Sequence, residues 1–309
     1  MRIVRHGLED PPETAIAVGS FDGVHRGHQA ILQQVVEEAH ARGVAAAVLT
    51  FEPLPREFFA RDLPPVRLTS LAERVALLAD CGVDITYVER FDARFAAISA
   101  DDFAMRLRRC YGAHWVMVGH DFRFGARRGG DVDHLQAAGR RIGFEVEILP
   151  PVLGGASRIS STAIREALEM GDFQTATELL GRPYAICGRV LHGAKRGRLL
   201  GFPTANVRLA RPRPALHGIF AVKCYGAATR GLEGVASLGT NPAVQHGGPA
   251  TLEAFLFDFS GDLYGRRLTL EFHRKLRDEA HFASLDELAA QIRRDCEAAR
   301  EYFAAARVR

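Results

Sequence analysis

The residues with the clearest capacity for chemistry form one run, Gly19-Ser20-Phe21-Asp22-Gly23-Val24-His25-Arg26-Gly27-His28. It lies between a strand-like run, AIAVG, and a helical pattern with Ile31, Leu32, Val35, Val36 and Ala39 on one face. A helix N-terminus attracts anions through its free N–H groups and its macrodipole. Gly23 and Gly27 let the backbone approach a ligand closely. His25 and His28 can donate hydrogen bonds to phosphate oxygens, where charge shifts as a phosphoanhydride breaks. Taken alone, the run reads equally as a glycine-containing turn with surface histidines. No Walker A lysine motif occurs in the chain, which excludes a P-loop kinase for this half.

Three further segments fall at predicted strand C-terminal ends, where open α/β sheets bind ligands. They are Thr50-Phe51-Glu52-Pro53, the run Gly119-His120-Asp121-Phe122-Arg123-Phe124-Gly125, and Ile159-Ser160-Ser161-Thr162-Ala163-Ile164-Arg165. Thr162 and Arg165 are three apart at a helix start, so hydroxyl and guanidinium can converge on one phosphate. Singly, the Ser/Thr run is an N-cap and Arg165 a solvated helix charge.

The second half carries Gly188-Arg189-Val190, then His192-Gly193-Ala194-Lys195-Arg196-Gly197-Arg198, then Gly201-Phe202-Pro203-Thr204-Ala205-Asn206. In an extended segment Thr204 and Asn206 share a face and can offer oxygen ligands to one cation. Magnesium prefers such ligands and shares them with nucleotide phosphates. The Gly/Lys/Arg run could wrap those phosphates, although a solvated basic hairpin is its commoner meaning. In TLEAFLFDF, alternation places Glu253 with Phe255, Phe257 and Phe259. A carboxylate beside aromatic surface is partly desolvated and suits a general base, whereas an edge-strand glutamate facing water is the plainer reading.

The elements that must position these residues follow two grammars. From Ala15 to about Gly181, short apolar runs alternate with helical patterns. AIAVG, a helix and VAAAVLTF form a βαβ crossover. Ser70 with Glu73 is a capping-box pattern opening a helix that stops at Gly82. VDITYVE, a helix over 101–110, HWVMVG, a helix over 134–141 and FEVEIL follow, predicting a mostly parallel sheet with helices on both faces. From Tyr184 to about Phe272 the runs YAICGRVL, GIFAVKCYG, GVASLG, TLEAFLFDF and RLTLEFH are separated by turn residues, which reads as an antiparallel barrel or sandwich. The last segment, SLDELAAQIRRDCEAAREYFA, is a helix capped by Ser284 and Glu287, with Leu285, Leu288, Ile292, Cys296, Ala299 and Phe303 on its apolar face. The join falls near Arg182-Pro183, giving domains 1–182 and 183–309.

Composition bounds the function. The 309 residues, 47% hydrophobic and 25% charged, suit two globular domains. The net charge of +3 gives no footprint for nucleic acid and leaves room for basic pockets that take small phosphates. Five scattered cysteines suggest neither a disulfide framework nor zinc and fit a reducing cytoplasm. The charged N-terminal run MRIVRHGLEDPPE is unlike a signal peptide, and apolar stretches such as Val44–Leu49 are too short to span a bilayer.

GSFDGVHRGH, TFEP, VGHDFRFG and ISSTAIR together resemble the nucleotidyltransferase superfamily, and specifically the FAD synthetase module of the bacterial bifunctional riboflavin kinase/FMN adenylyltransferases. The resemblance implies a Rossmann-like domain in which His25, His28 and Arg165 act catalytically at the ATP phosphates. Gly19, Phe21, Asp22, Gly23, Gly27, Ser160, Ser161 and Thr162 would bind ATP, and Asp121, Phe122 and Phe124 would line the flavin pocket. GRVLHGAKRGRLLGFPTANV, GIFAV, LEAFLFDFSGDLYG and KLRDE resemble the riboflavin kinase module of the same family. That implies a β-barrel with a terminal helix, in which Thr204 and Asn206 bind Mg2+ with ATP and Glu253 activates the ribityl 5′-hydroxyl. Gly193, Lys195, Arg196, Gly197, Phe202 and Pro203 would serve ATP, and Arg277 would sit near the flavin. Two positions depart from the family pattern: Ala243 stands where threonine is usual, and Phe255 where histidine is common.

Together the two resemblances imply an enzyme that makes FMN from riboflavin and FAD from FMN, consuming ATP with Mg2+ and releasing pyrophosphate in the second step. Its partners would be small nucleotides and flavins, with apo-flavoproteins as recipients and neither nucleic acid nor membrane involved. A nucleotidyltransferase for another phosphorylated substrate leaves the FPTAN half unexplained. A catalytically silent flavin-binding regulator is at odds with the presence of every residue expected to do chemistry.

Overall fold

Strands Arg2–Arg5 (β1), Thr14–Val18 (β2), Ala45–Glu52 (β3), Ile85–Arg90 (β4), Ala113–Gly119 (β5) and Glu145–Leu149 (β6) pair in the order β1-β4-β3-β2-β5-β6. Every pairing is parallel, as expected. A strand covered on both faces reads as a continuous apolar run, and alternation then sends its residues into two cores. In β2, Ile16 and Val18 pack with Phe103, Leu107 and Leu135 from helices Ala100–Tyr111 (α5) and Val132–Ile142 (α6). Ala15 and Ala17 face the other way, onto Leu32 and Val35 of Arg26–Arg42 (α1) and Leu78 of Leu71–Asp80 (α3). Short helices Pro55–Phe59 (α2) and Ala93–Ala96 (α4) follow β3 and β4. Strand β1 escapes the sequence reading because four residues with Val4 alone buried carry no periodicity.

The computed structural model describes residues 1–60, 65–150, 152–154, 157–193, 197, 200–211, 213–240 and 250–307. One compact unit comprises Met1–Pro65 and Leu71–Ser161, and a second comprises Val66–Ser70 and Thr162–Arg309. A small antiparallel pair, Leu153–Gly154 (β7) and Ser157–Arg158 (β8), precedes helices Ser161–Glu169 (α7) and Phe173–Leu180 (α8).

In the second unit, Tyr184–Leu191 (β9), Ala205–Val207 (β10), Gly218–Tyr225 (β11), Leu232–Thr240 (β12), Ala250–Leu256 (β13) and Arg267–Arg277 (β14) close into a barrel. Its order is β10-β13-β12-β11-β14-β9 and its pairings are antiparallel, which decides between barrel and sandwich. In β13, Leu252, Ala254 and Leu256 are buried, leaving Glu253 and Phe255 on the opposite face. Helix Leu285–Arg307 (α9) lays Cys296, Ala299 and Phe303 on Ile219, Ala221, Val235 and Phe257. Its start carries the expected cap: the Glu287 N–H donates to Ser284 Oγ, and the Ala283 N–H to the Glu287 carboxylate. Leu285, expected on the buried face, is 68% exposed, because the first turn carries it clear of the apolar stripe that Ala289 begins.

Truncating Phe303, 6% exposed in this second core, tests the helix packing. Phe303→Ala is expected to cost about 3 kcal/mol, read as a lowered urea midpoint. A loss below about 1 kcal/mol would show that α9 does not depend on this contact.

Candidate active sites

The loop joining β2 to α1 is held in a conformation that side chains seldom adopt. Phe21, Gly23 and Val24 have φ of 50°, 86° and 40°, and such strain persists where surroundings over-determine it, commonly at ligand sites. The Thr50 hydroxyl donates to the Ser20 carbonyl (3.2 Å), and Ser161 Oγ donates to the Asp22 carbonyl (2.9 Å). The ring of Phe21, 1% exposed, packs beneath Gly19, where a Cβ would stand 3.2 Å from Cε2. Gly27 lies against the His25 ring, with a built Cβ 3.2 Å from Nδ1.

His25 is the N-cap of α1. Its Nδ1 accepts the His28 N–H at 3.2 Å, and the two imidazoles stack with centroids 3.6 Å apart and planes 14° apart. Burial, then the neighbouring His25 and the Arg74 cation, hold the His28 imidazole well below its ordinary pKa. Its Nδ1 is buried and meets no hydrogen-bond partner among the described residues. A neutral imidazole with an unsatisfied nitrogen beside the free N–H groups of α1 is suited to an anionic oxygen.

Arg74, on α3, was not singled out in the sequence because a lone helix arginine carries no motif. Its side chain is wholly buried. It donates to the Ser20 carbonyl (2.9 Å), the Phe51 carbonyl (3.0 Å) and the Glu52 carboxylate (3.0 Å). One guanidinium thus fastens the histidine loop to the TFEP segment at the ends of β2 and β3.

GHDFRFG leaves β5 in a turn closed by the Phe122 N–H on the Gly119 carbonyl (3.0 Å). Asp121 is exposed, while Phe122 stacks on Phe124 at 5.5 Å. Phe124, expected in the flavin pocket, is a core residue, 6% exposed, against Phe103 and His134. An aromatic chain that spacing did not reveal runs along the C-terminal side of the sheet: Phe58, Phe91, Phe51 and Phe95, with neighbouring centroids 5.5–5.6 Å apart. Its members come from four separate elements or loops, so only folding assembles them.

ISSTAIR opens α7. Thr162 is exposed on its first turn, Ser160 is half-buried, and Arg165 donates from Nε to the Val66 carbonyl.

In the barrel, β10 pairs with β13 so that Asn206 stands opposite Glu253 and Ala205 opposite Ala254. Ala205 and Val207 are buried, which puts Thr204 and Asn206 on one face, as the spacing required. Thr204 Oγ1 donates to Glu253 Oε2 at 3.0 Å. Gly193 abuts the Asn206 amide, where a built Cβ would stand 2.3 Å from Nδ2. Gly197 has Thr204 Oγ1 3.3 Å from its built Cβ, and its carbonyl accepts the Phe202 N–H at 2.8 Å. Phe255 packs edge-on against Phe202 at 5.4 Å, so this departure from the family pattern fills space beside the FPTAN turn. A cavity of about 720 Å³ opens beside them, walled by Pro203, Thr204, Ala254, Gly261, Asp262 and Tyr264. The Tyr264 ring lies against His192, with centroids 3.8 Å apart and planes tilted by 33°. The run FDFSGDLYG was legible as a motif, but the part of Asp262 and Tyr264 as cavity wall was not. Lys195, Arg196 and Ala243 lie outside the described residues. Arg277 spends Nε and NH2 on Asp295, 4% exposed, and NH1 on the Asp278 carbonyl, tying β14 to α9. Among the described residues no cluster of three or more His, Cys, Asp or Glu could hold a metal.

Comparison with known proteins gives two family matches in this order: the FAD synthetase model over residues 8–163 and the riboflavin kinase model over residues 180–303. The chain is 46% identical over 308 residues to the bifunctional riboflavin kinase/FMN adenylyltransferase of Escherichia coli (strain K12), covering 98% of each. It is 47% identical over 304 residues to the protein of that name from Pseudomonas fluorescens, covering 97% of each. A crystal structure named as a macrolide-efflux protein from Streptococcus pneumoniae matches with a TM-score of 0.79 at 30% identity, over 97% of this chain and 99% of that one. No described helix is long and apolar enough to cross a membrane.

The stacked histidines make a prediction in the free protein. With its pKa depressed, His28 stays neutral where an ordinary histidine gains charge, so its Cε1–H resonance should show no inflection between pH 6 and 8. Below about pH 6.5 the unfolded chain takes up a proton that folded His28 refuses, so this group lowers stability as pH falls. A His28 midpoint at or above about 6.5 would contradict the burial and stacking described.

Proposed function

Because the chain belongs to the family of bifunctional riboflavin kinase/FMN adenylyltransferases, we propose how its residues divide two ATP-dependent reactions. The protein phosphorylates riboflavin to FMN and adenylylates FMN to FAD. The boundary between the two activities is proposed at Arg182-Pro183, a reading supported by the start of the riboflavin kinase match at residue 180.

In adenylylation, a phosphate oxygen of FMN attacks the α-phosphorus of ATP in line, the bond from that phosphorus to the bridging oxygen breaks, and pyrophosphate leaves. Such transfer requires positioning and charge stabilisation more than covalent participation. His25 and His28, with the first turn of α1 and the loop of Phe21, Asp22, Gly23 and Gly27, receive the phosphate oxygens, while Gly19, its N–H spent on the Leu49 carbonyl (3.1 Å), gives the loop room to pack on the Phe21 ring. Thr162 and Arg165 hold the triphosphate, and Ser160 and Ser161 set the turn that delivers them. The observation that carries this reading is the unsatisfied, buried Nδ1 of His28 above a stacked His25. Asp121 and Phe122 border the isoalloxazine, with Phe124 supporting Phe122 from behind.

In phosphorylation, Glu253 accepts the proton of the riboflavin 5′-hydroxyl as that oxygen attacks the γ-phosphorus of ATP and ADP leaves. Thr204 Oγ1 and the Asn206 amide oxygen are hard donors on one face, and the bare Gly193 backbone lies against that amide, so they fit Mg2+. When bound there, Mg2+ would neutralise charge on the ATP phosphates. Gly193, Lys195, Arg196, Gly197, Phe202 and Pro203 serve ATP. Arg277 acts from its fork with Asp295, orienting the β14 end beside the flavin. A cytoplasmic location belongs to the same proposal.

The two assignments separate in one pair of variants. His28→Ala should abolish FAD formation from FMN while riboflavin phosphorylation persists. Glu253→Gln should cut phosphorylation by about 10²-fold or more while adenylylation of supplied FMN persists. Chromatography of flavins after incubation with Mg-ATP reads both, and unchanged adenylylation in the first variant or unchanged phosphorylation in the second would refute the corresponding role.

A further inference from the structure

Val66–Ser70 belongs to the second unit although its flanking chain on both sides, Met1–Pro65 and Leu71–Ser161, belongs to the first. Leu68, Thr69 and Ser70 are 0%, 4% and 3% exposed. A buried irregular segment needs partners for its carbonyls, and side chains distant in sequence supply them. Arg165 donates from Nε to the Val66 carbonyl. Arg211, 4% exposed, donates from NH1 both to the Leu68 carbonyl and, at 2.8 Å, to the Tyr184 hydroxyl. That hydroxyl in turn donates to the Leu68 carbonyl at 3.2 Å.

Arg211 and Tyr184 fall within the riboflavin kinase match, whereas Val66 and Leu68 fall within the FAD synthetase match. We infer that Arg211, braced by Tyr184, is a positioning residue for FMN adenylylation: it fixes the Leu68 carbonyl, and thereby the Val66 carbonyl two residues away that orients Arg165. A guanidinium anchored at Nε has its plane set, and a planar fork recognises phosphate only from a defined plane. The inference rests on the reading of Arg165 as a triphosphate ligand.

The test uses the full chain, with both reactions assayed on each variant. Arg211→Lys keeps the charge but ends one bond short of NH1, the nitrogen that serves both Leu68 and Tyr184, and Tyr184→Phe removes only the bracing hydroxyl. Each should raise the KM for ATP in adenylylation by about fivefold or more with kcat nearly unchanged. KM and kcat for riboflavin phosphorylation should stay within about twofold. Arg165→Lys should raise the same KM, and combining it with Arg211→Lys should add little, because both act through one element. If Arg165→Lys raises the KM but Arg211→Lys and Tyr184→Phe do not, the positioning role is overturned. Loss of both activities together in both variants overturns it equally, as general destabilisation. If Arg165→Lys leaves the KM unchanged, the triphosphate reading of Arg165 has failed and takes the inference with it.

Discussion

The guanidinium of Arg74 is the interaction on which the proposed adenylylation site depends. It lies wholly buried where β2 and β3 end, and its donors go to two backbone carbonyls and one carboxylate. Charge-assisted hydrogen bonds of this kind contribute about 1.5–3 kcal/mol each, and a buried cation without them would not be tolerated. The histidine loop needs such a fastening because Phe21 and Val24 hold left-handed backbone that costs energy when unsupported. The same charge helps to keep His28 neutral. Arg74 therefore acts on the site twice, through the position of the loop and through the protonation of its imidazole.

The barrel solves a similar problem by register. Pairing β10 with β13 brings Asn206 opposite Glu253, and the hydroxyl of Thr204 reaches the same carboxylate. A slip of β10 by one residue would turn Thr204 and Asn206 into the barrel interior and away from Glu253. Buried Ala205, Ala254 and Leu252 oppose that slip, so the core of the barrel and the placement of its polar residues are one constraint.

Much of this was legible in the sequence where a signal is local. Glycine-bounded apolar runs marked β2 through β6, the Ser284/Glu287 cap marked the start of α9, and the two-residue spacing of Thr204 and Asn206 placed them on one face. What escaped has no local period. Strand β1 is too short, Leu285 overhangs its helix, and the aromatic chain of Phe51, Phe58, Phe91 and Phe95 is drawn from separate segments. Arg74 and Arg211 are single arginines among forty basic lysines and arginines, and only the carbonyls they meet distinguish them from solvated charges. Arg277 was legible as part of KLRDE, but its fork with Asp295 is a tertiary fact.

The central claim, that Arg74 organises the adenylylation site, is tested most directly by Arg74→Lys in the full chain, measuring kcat/KM for FAD formation from FMN and riboflavin phosphorylation in the same preparation. A lysine keeps the charge but cannot hold three acceptors in one plane. FAD formation should fall by about tenfold or more, a loss of about 1.4 kcal/mol of transition-state stabilisation, while phosphorylation stays within about twofold. Equal, undiminished rates of FAD formation in Arg74→Lys and the parent protein would contradict the account.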